Sequence, residues 1–235
     1  MKTLQKNTKI IIIIAAILLI AAGSFIFLQN QKPIPIKSSV IADTDIGSVE
    51  KNIYGNESAN NTIALITGMH PREKLAIEPE IKAAKDFIRD HDDAKIIHYQ
   101  VNVTQNPEDY DAGRENGESL VHDFVNPDVT SSDADCVIIS HSHESWYGEG
   151  FYLATPEMDD ASVGISEKIK ETSDFNYYPK TGNETYKSTS AVLVSRPIAQ
   201  AGYPTFVYEI PEDISDGDST NRAKDLFGLM VEYAC

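Results

Sequence analysis

Cysteine is nearly absent from the 235 residues: there are two, Cys136 inside an apolar run and Cys235 at the last position. Neither sits in a CxxC pair, so the sequence offers no disulfide framework of the small secreted kind. A bridge between the two is geometrically open, but a buried thiol and a separate terminal one is the simpler expectation. Positive charge is scarce too. Twenty lysines and arginines face 36 aspartates and glutamates, a formal net charge of −16. Binding to phosphate backbones needs a basic stripe, and none is present, which excludes a nucleic-acid partner. No G-x-S-x-G element occurs, so the nucleophile elbow of the serine hydrolases is missing. Internal repeats are lacking, and the one biased segment is an apolar run at the N-terminus.

That run is informative. Lys2, Lys6 and Lys9 precede residues 10–28, which carry no charge. About 20 apolar residues cross a bilayer as a helix. A basic flank holds the short N-terminus in the cytoplasm and sends the rest of the chain outward. Small residues at Ala21, Ala22, Gly23 and Ser24 would suit a signal peptidase, but Phe25, Ile26, Phe27 and Leu28 continue the apolarity beyond them. Residues 1–31 are therefore expected to be an uncleaved single-pass anchor in the cell membrane, with the domain outside. A cleaved, secreted form is the alternative. Pro33 and Pro35 mark residues 32–45 as an extended linker, which leaves 46–235 as one domain. Sequons begin at Asn56, Asn60, Asn102 and Asn183, as an extracellular location permits.

Within that domain apolar runs alternate with helical patterns. Residues 62–67, 94–103, 135–140 and 204–208 read as strands, and 191–194 as a further short one. Residues 78–90, 111–124, 162–172 and 219–233 have helical spacing, and 196–201 suits a helical turn. The alternation predicts a single α/β domain with a mostly parallel or mixed central sheet and helices on both faces.

The chemistry-bearing residues stand at strand ends. Gly68-Met69-His70-Pro71-Arg72-Glu73 follows the first strand, Ser140-His141-Ser142-His143-Glu144 the third, and Glu209 the last. Ligands of open α/β sheets bind outside the carboxyl ends of the strands. Zinc favours imidazole nitrogen and carboxylate oxygen, and a catalytic site keeps three protein ligands and one open position. His70 and Glu73, as a His-x-x-Glu turn, can supply two ligands. The third can come from His141 or His143, which alternation places on one side of the strand. Glu209 then stands as a base for water. Arg72 has two readings, a fork for a substrate carboxylate or a pair with Glu80. Asp159 and Asp160 read as a solvated loop, and His91, His98 and His122 as surface or helix-end histidines.

The segment from Gly68 to Glu73 resembles the H-x-R-E motif of the zinc metallocarboxypeptidases, the carboxypeptidase A-like family. His141-Ser142 is similar to that family's third-ligand His-Ser, and Phe206-Val207-Tyr208-Glu209 to the strand that ends in its catalytic glutamate. The order agrees over residues 63–211. By this resemblance one Zn2+ per chain is held by His70, Glu73 and His141, and Glu209 is the general base. The short domain is closer to compact relatives, among them the succinylglutamate desuccinylase and aspartoacylase group. The family's Asn-Arg pair for a substrate carboxylate is not present as such. Its nearest counterparts are Arg114 and Asn116, in reversed order, and the family's capping phenol has three candidates, Tyr147, Tyr152 and Tyr186. The resemblance implies hydrolysis of peptides, cell-wall peptides included. Deacylation of N-acyl amino acids and a binding module without activity are the competing expectations.

Overall fold

The computed structural model describes residues 36–144, 146–178 and 188–235, together with Ile13, Ile14, Ile17, Ile20 and Ile34. The chain divides into two units, Met1–Ile34 and Pro35–Cys235. Most of the expected anchor, the sequon at Asn183 and Tyr186 lie outside the described residues. Among the described residues no helix is long and apolar enough to cross a membrane.

Among the described residues eight strands form one mixed sheet in the second unit: β1 (Ile36–Asp43), β2 (Gly47–Gly55), β3 (Asn61–Thr67), β4 (Ala94–Val103), β5 (Cys136–His143), β6 (Tyr152–Ala154), β7 (Asn176–Tyr177) and β8 (Thr205–Pro211). Their spatial order is β1-β2-β4-β3-β5-β8-β6-β7. The centre, β4-β3-β5-β8, is parallel. β1 and β2 add an antiparallel edge, and β6 runs antiparallel to β8 on the other side. β5 is buried at every position and β3 at all but its first. Both faces of these strands are covered, which is why they read as nearly unbroken apolar runs.

Among the described residues of the second unit six α-helical segments follow in chain order: α1 (Glu78–Asp90), α2 (Tyr110–Leu120), α3 (Asn126–Val129), α4 (Asp160–Thr172), α5 (Arg196–Gln200) and α6 (Asp216–Tyr233). A π-helical turn, Val121–Val125, joins α2 to α3, and another, Ala191–Ser195, leads into α5. Side-chain oxygens of Asp109, Asp159 and Ser215 accept backbone N–H bonds at the starts of α2, α4 and α6, each satisfying a donor the helix itself cannot. Asp159 is therefore a helix cap, not part of an open loop.

On one face Ala64, Ile66, Tyr99, Val137 and Ile139 pack against Leu120, Val121, Val125, Val129, Val194 and Ile198. The other face carries α1 and α6, where Phe87 and Phe227 meet edge-on with ring centroids 5.8 Å apart. His98, expected at the surface, is fully buried there, with Nε2 2.8 Å from the Thr67 hydroxyl and Nδ1 3.1 Å from that of Tyr54.

Two stretches differ from the sequence reading. The sheet begins at Ile36, inside residues 32–45, because β1 pairs along β2 from Ile36↔Tyr54 to Asp43↔Ser48. Residues 191–194, expected as a strand, form the π-helical turn instead. A four-residue apolar run has no period of its own, and here it packs as one wall of a helix.

Candidate metal centre and cleft

Gly68 ends β3 at φ +78°, and a Cβ there would lie 2.2 Å from the Val101 carbonyl oxygen. Only glycine tolerates both conditions. The chain then turns tightly, with the Glu73 N–H donating to the His70 carbonyl at 3.1 Å, so that both side chains face the same space. His70 Nδ1 lies 2.8 Å from Glu73 Oε1, and His141 Nδ1 2.8 Å from Glu73 Oε2. The two imidazole centroids are 4.4 Å apart. A ligand atom from each of the three residues lies within 4.8 Å of the others.

The cluster is braced from outside. The Ser142 backbone N–H donates to Glu73 Oε2 at 3.2 Å, and Arg114 Nη1 to Oε1 at 3.0 Å. Glu118, buried on α2, stands 3.2 Å from His70 Nε2. A carboxylate there accepts from Nε2–H and fixes the ring with Nδ1 toward Glu73, so that Nδ1 would be the nitrogen offered to a bound metal. Gly117 makes that approach possible, because a Cβ on it would fall 1.7 Å from the Met69 carbonyl oxygen. Two imidazoles and a carboxylate, with one imidazole oriented by a second acid, fit a zinc-type site by donor chemistry.

Glu209 reaches the cluster through strand register. It pairs with His141 across β5 and β8, and with Tyr152 across β8 and β6, so the three side chains form one row on one face of the sheet. Ile139, Val207 and Ala154 form the next row inward. Burial pushes the Glu209 carboxyl up to about 7, helped by the charge of Glu73 and opposed by that of His141. Burial would raise Glu73 as well, but the charges of His141 and His70 and their hydrogen bonds hold it well below the usual carboxylate range.

The cluster lies in a cleft of about 930 Å³ whose walls include Tyr110, Trp146, Tyr147, Tyr152 and Tyr178, a size suited to a small peptide or amino-acid derivative. Arg114 lines the cleft, and its guanidinium sits 5.3 Å from the Tyr110 ring centroid. Arg72 sits 5.7 Å from the same ring. It does not pair with Glu80, which is sealed inside the domain and accepts from the Ser140 hydroxyl at 3.0 Å.

His70, Glu73 and His141 thus meet as the sequence placed them, with Glu209 and Arg114 beside them. Asn116 is not brought to the site: its Nδ2 donates to the Gln105 carbonyl at 2.9 Å in an exposed position. Residues two apart on a helix point to nearly opposite sides, so Arg114 and Asn116 cannot serve one ligand, whereas Arg114 and Glu118, four apart, can. His143 lines the cleft but turns its ring nitrogens to the carbonyls of Glu144 and Gly150, each at 3.0 Å. Glu118 escaped sequence reasoning. The available signal was its i+4 spacing from Arg114, with Gly117 between.

No protein-family model matches the sequence, and no curated protein matches it. Solved structures do match the fold. A protein of Burkholderia mallei assigned as a carboxypeptidase superposes with a TM-score of 0.57 at 15% identity, covering 91% of this chain and 67% of that one. A metallo-carboxypeptidase from Burkholderia cenocepacia gives 0.56 at 14% identity, covering 90% and 68%. A Shewanella denitrificans protein assigned as a metallopeptidase gives 0.51 at 12%, covering 85% and 84%. The chain therefore has the metallocarboxypeptidase fold, and it spans about two thirds of the two Burkholderia proteins.

Proposed function

We propose that the domain is a zinc-dependent hydrolase of amide bonds, carboxypeptidase-like, held on the outer face of the cell membrane by residues 1–31. Its metal ligands are His70, Glu73 and His141. The observation that carries this reading is the convergence of those three side chains in the cleft, with Glu209 in register beside His141.

The chemistry a bound zinc supplies is Lewis-acid polarisation of the scissile carbonyl and a lowered pKa for water. The remaining work falls to the chain. Glu209, on the same sheet face as His141, accepts a proton from the attacking water and passes it to the leaving nitrogen. Its raised pKa suits both halves of that transfer near neutral pH, and a cation beside it would bring the value down again. Arg114 offers N–H donors to the oxygen where negative charge develops. The aromatic walls hold the peptide or N-acyl amino-acid substrate, cell-wall peptides among the candidates.

The test uses the full chain purified in detergent, loaded with zinc and assayed by mass spectrometry on a panel of peptides and N-acyl amino acids. The expected zinc content is one per chain. Glu209→Gln should keep that zinc while turnover falls by roughly two to four orders of magnitude, the scale of a lost general base. Full activity in Glu209→Gln would place the base elsewhere. Loss of zinc in it would make Glu209 a ligand and redraw the site.

A further inference from the structure

The turn between β5 and β6 carries aromatic residues of the cleft wall, and one buried side chain holds that turn at both ends. His143 is the last residue of β5 and only 4% exposed. Its Nδ1 lies 3.0 Å from the Glu144 carbonyl oxygen and its Nε2 3.0 Å from that of Gly150. The ring thus spans the neck of the turn, with the Tyr152 ring centroid 5.1 Å away on β6. Two further bonds close the neck. The Tyr147 N–H donates to the Glu144 carbonyl at 2.9 Å, and Asn176 Nδ2, on β7, donates to the Glu149 carbonyl at 2.8 Å.

What this framework presents is Trp146 and Tyr147. Both line the cleft, and Trp146 is 78% exposed. The indole is nevertheless oriented: its Nε1 donates to the Glu144 carboxylate, and its ring meets that of Tyr147 edge-on, 5.9 Å between centroids. An indole left in water forgoes the stabilisation of burial. One tied in place at a cleft mouth offers a wide, rigid apolar face to whatever enters.

We propose that His143 is a positioning residue for substrate. By fastening both ends of this turn it keeps Trp146 and Tyr147 as a preformed wall for a flat apolar group on the acyl side of the scissile bond. The proposal rests on the hydrolase reading for the direction in which the substrate lies. An enzyme that trims chain ends encloses the terminal residue and lets the acyl part project past the strand ends, where this turn stands. A wall ordered in advance binds without the entropic penalty of ordering a loose turn. Both ring nitrogens of His143 are engaged by the turn, so its effect falls on substrate preference and not on the metal cluster.

The test uses the full chain in detergent, loaded with zinc. It compares His143→Phe, which keeps a ring against Tyr152 and removes both nitrogens, with Trp146→Ala. Trp146 is the one tryptophan of the chain, so its time-resolved fluorescence anisotropy reports the turn directly. The unaltered protein should show slow tumbling alone, and His143→Phe should add a nanosecond component. Calorimetric titration in the Glu209→Gln background, where cleavage is slowed, then compares dialanine capped by a naphthoyl group with dialanine capped by acetyl. The naphthoyl peptide should bind at least about tenfold more tightly. That preference should fall to within about threefold in either variant, with affinity for the acetyl peptide changed by less than about twofold. With Glu209 restored, His143→Phe should raise KM for the naphthoyl peptide and keep kcat within about twofold. Equal or undetectable binding of the two peptides by the protein with His143 and Trp146 intact would overturn the proposal. So would an anisotropy decay and a preference that His143→Phe leaves unchanged, or loss of zinc from that variant. An intact binding preference with no peptide cleaved would support the wall and refute the hydrolase reading instead.

Discussion

The two faces of the β5–β8 ladder carry the same kinds of residue and do opposite things with them. On one face His141 and Glu209 look into the cleft, and Glu73 is gripped by two imidazoles, an arginine and a backbone N–H. On the other, one residue back along each strand, Ser140 and Tyr208 point into a sealed layer beneath α1 and α6. There Glu80 bonds Ser140 through one oxygen. Its other oxygen and the Tyr208 hydroxyl have no hydrogen-bond partner among the described residues. Glu73 and Glu80 are seven positions apart, and their environments drive them in contrary directions. Glu73 is held charged, well below the ordinary range, while burial pushes Glu80 up to about 8. Burial alone keeps a carboxyl neutral and inert. Positive partners hold one charged.

The metal-side prediction that would break this contrast is at Glu118. Its carboxylate orients His70, so Glu118→Gln should weaken zinc binding by roughly 10–100-fold, as loss of an orienting acid does, with the fold intact by circular dichroism. Zinc titration against a chelator checks it. Unchanged affinity would mean that the His70 orientation is fixed by packing alone.

A different effect, visible only as a function of pH, belongs to the sealed face. Glu80 has a folded pKa of about 8 against an ordinary 4.5, so between those values folding takes up a proton. Its contribution to stability is full below the lower value and drains away as pH rises to the upper one. The slope is on the order of 1 kcal/mol per pH unit. Glu80→Gln removes that slope, and melting curves should show the variant gaining on the unaltered protein from pH 5 to pH 9 with zinc content unchanged. A parallel pH dependence in both proteins would show that Glu80 is ionised in place.

The smallest effect is at Asn116. Bonded to the Gln105 carbonyl on the exposed side of α2, it should tolerate Ala within about 0.5 kcal/mol of stability, and kinetics on the identified substrate should change by less than about twofold. A large rise in KM would bring Asn116 back as a substrate contact.

The parts legible in the sequence were those with a strong local signal. The central strands were plain because β3 and β5 are continuous apolar runs, and the three residues of the candidate metal cluster were plain because two of them form a tight His-x-x-Glu turn after a strand. The β1–β2 edge gave no such signal. The buried positions of β2 change face along the strand, from Gly47 and Val49 to Asn52 and Tyr54, so a single apolar alternation is broken where it would have revealed a strand. Glu118 was hidden by composition, since one acid among 36 on a polar helix looks like any other. What distinguishes it is a distance of 3.2 Å to a residue 48 positions earlier; the i+4 spacing from Arg114 puts it on the same helix face but does not specify that contact.

The row formed by His141, Glu209 and Tyr152 has a consequence for how this protein could diversify. The proposed ligand His141 and the proposed base Glu209 face each other on one rung of the ladder, and Glu118 sits on a helix, so the geometry of the site is carried by the rigid frame. Trp146 and Tyr147, by contrast, come from the turn after β5, where both are largely exposed at the cleft mouth. Substitutions or insertions in that turn can reshape the mouth while leaving the reactive row in place. Laboratory selection confined to residues 144–150 should therefore shift substrate preference at constant metal affinity, which makes that turn the natural graft point for retargeting the cleft.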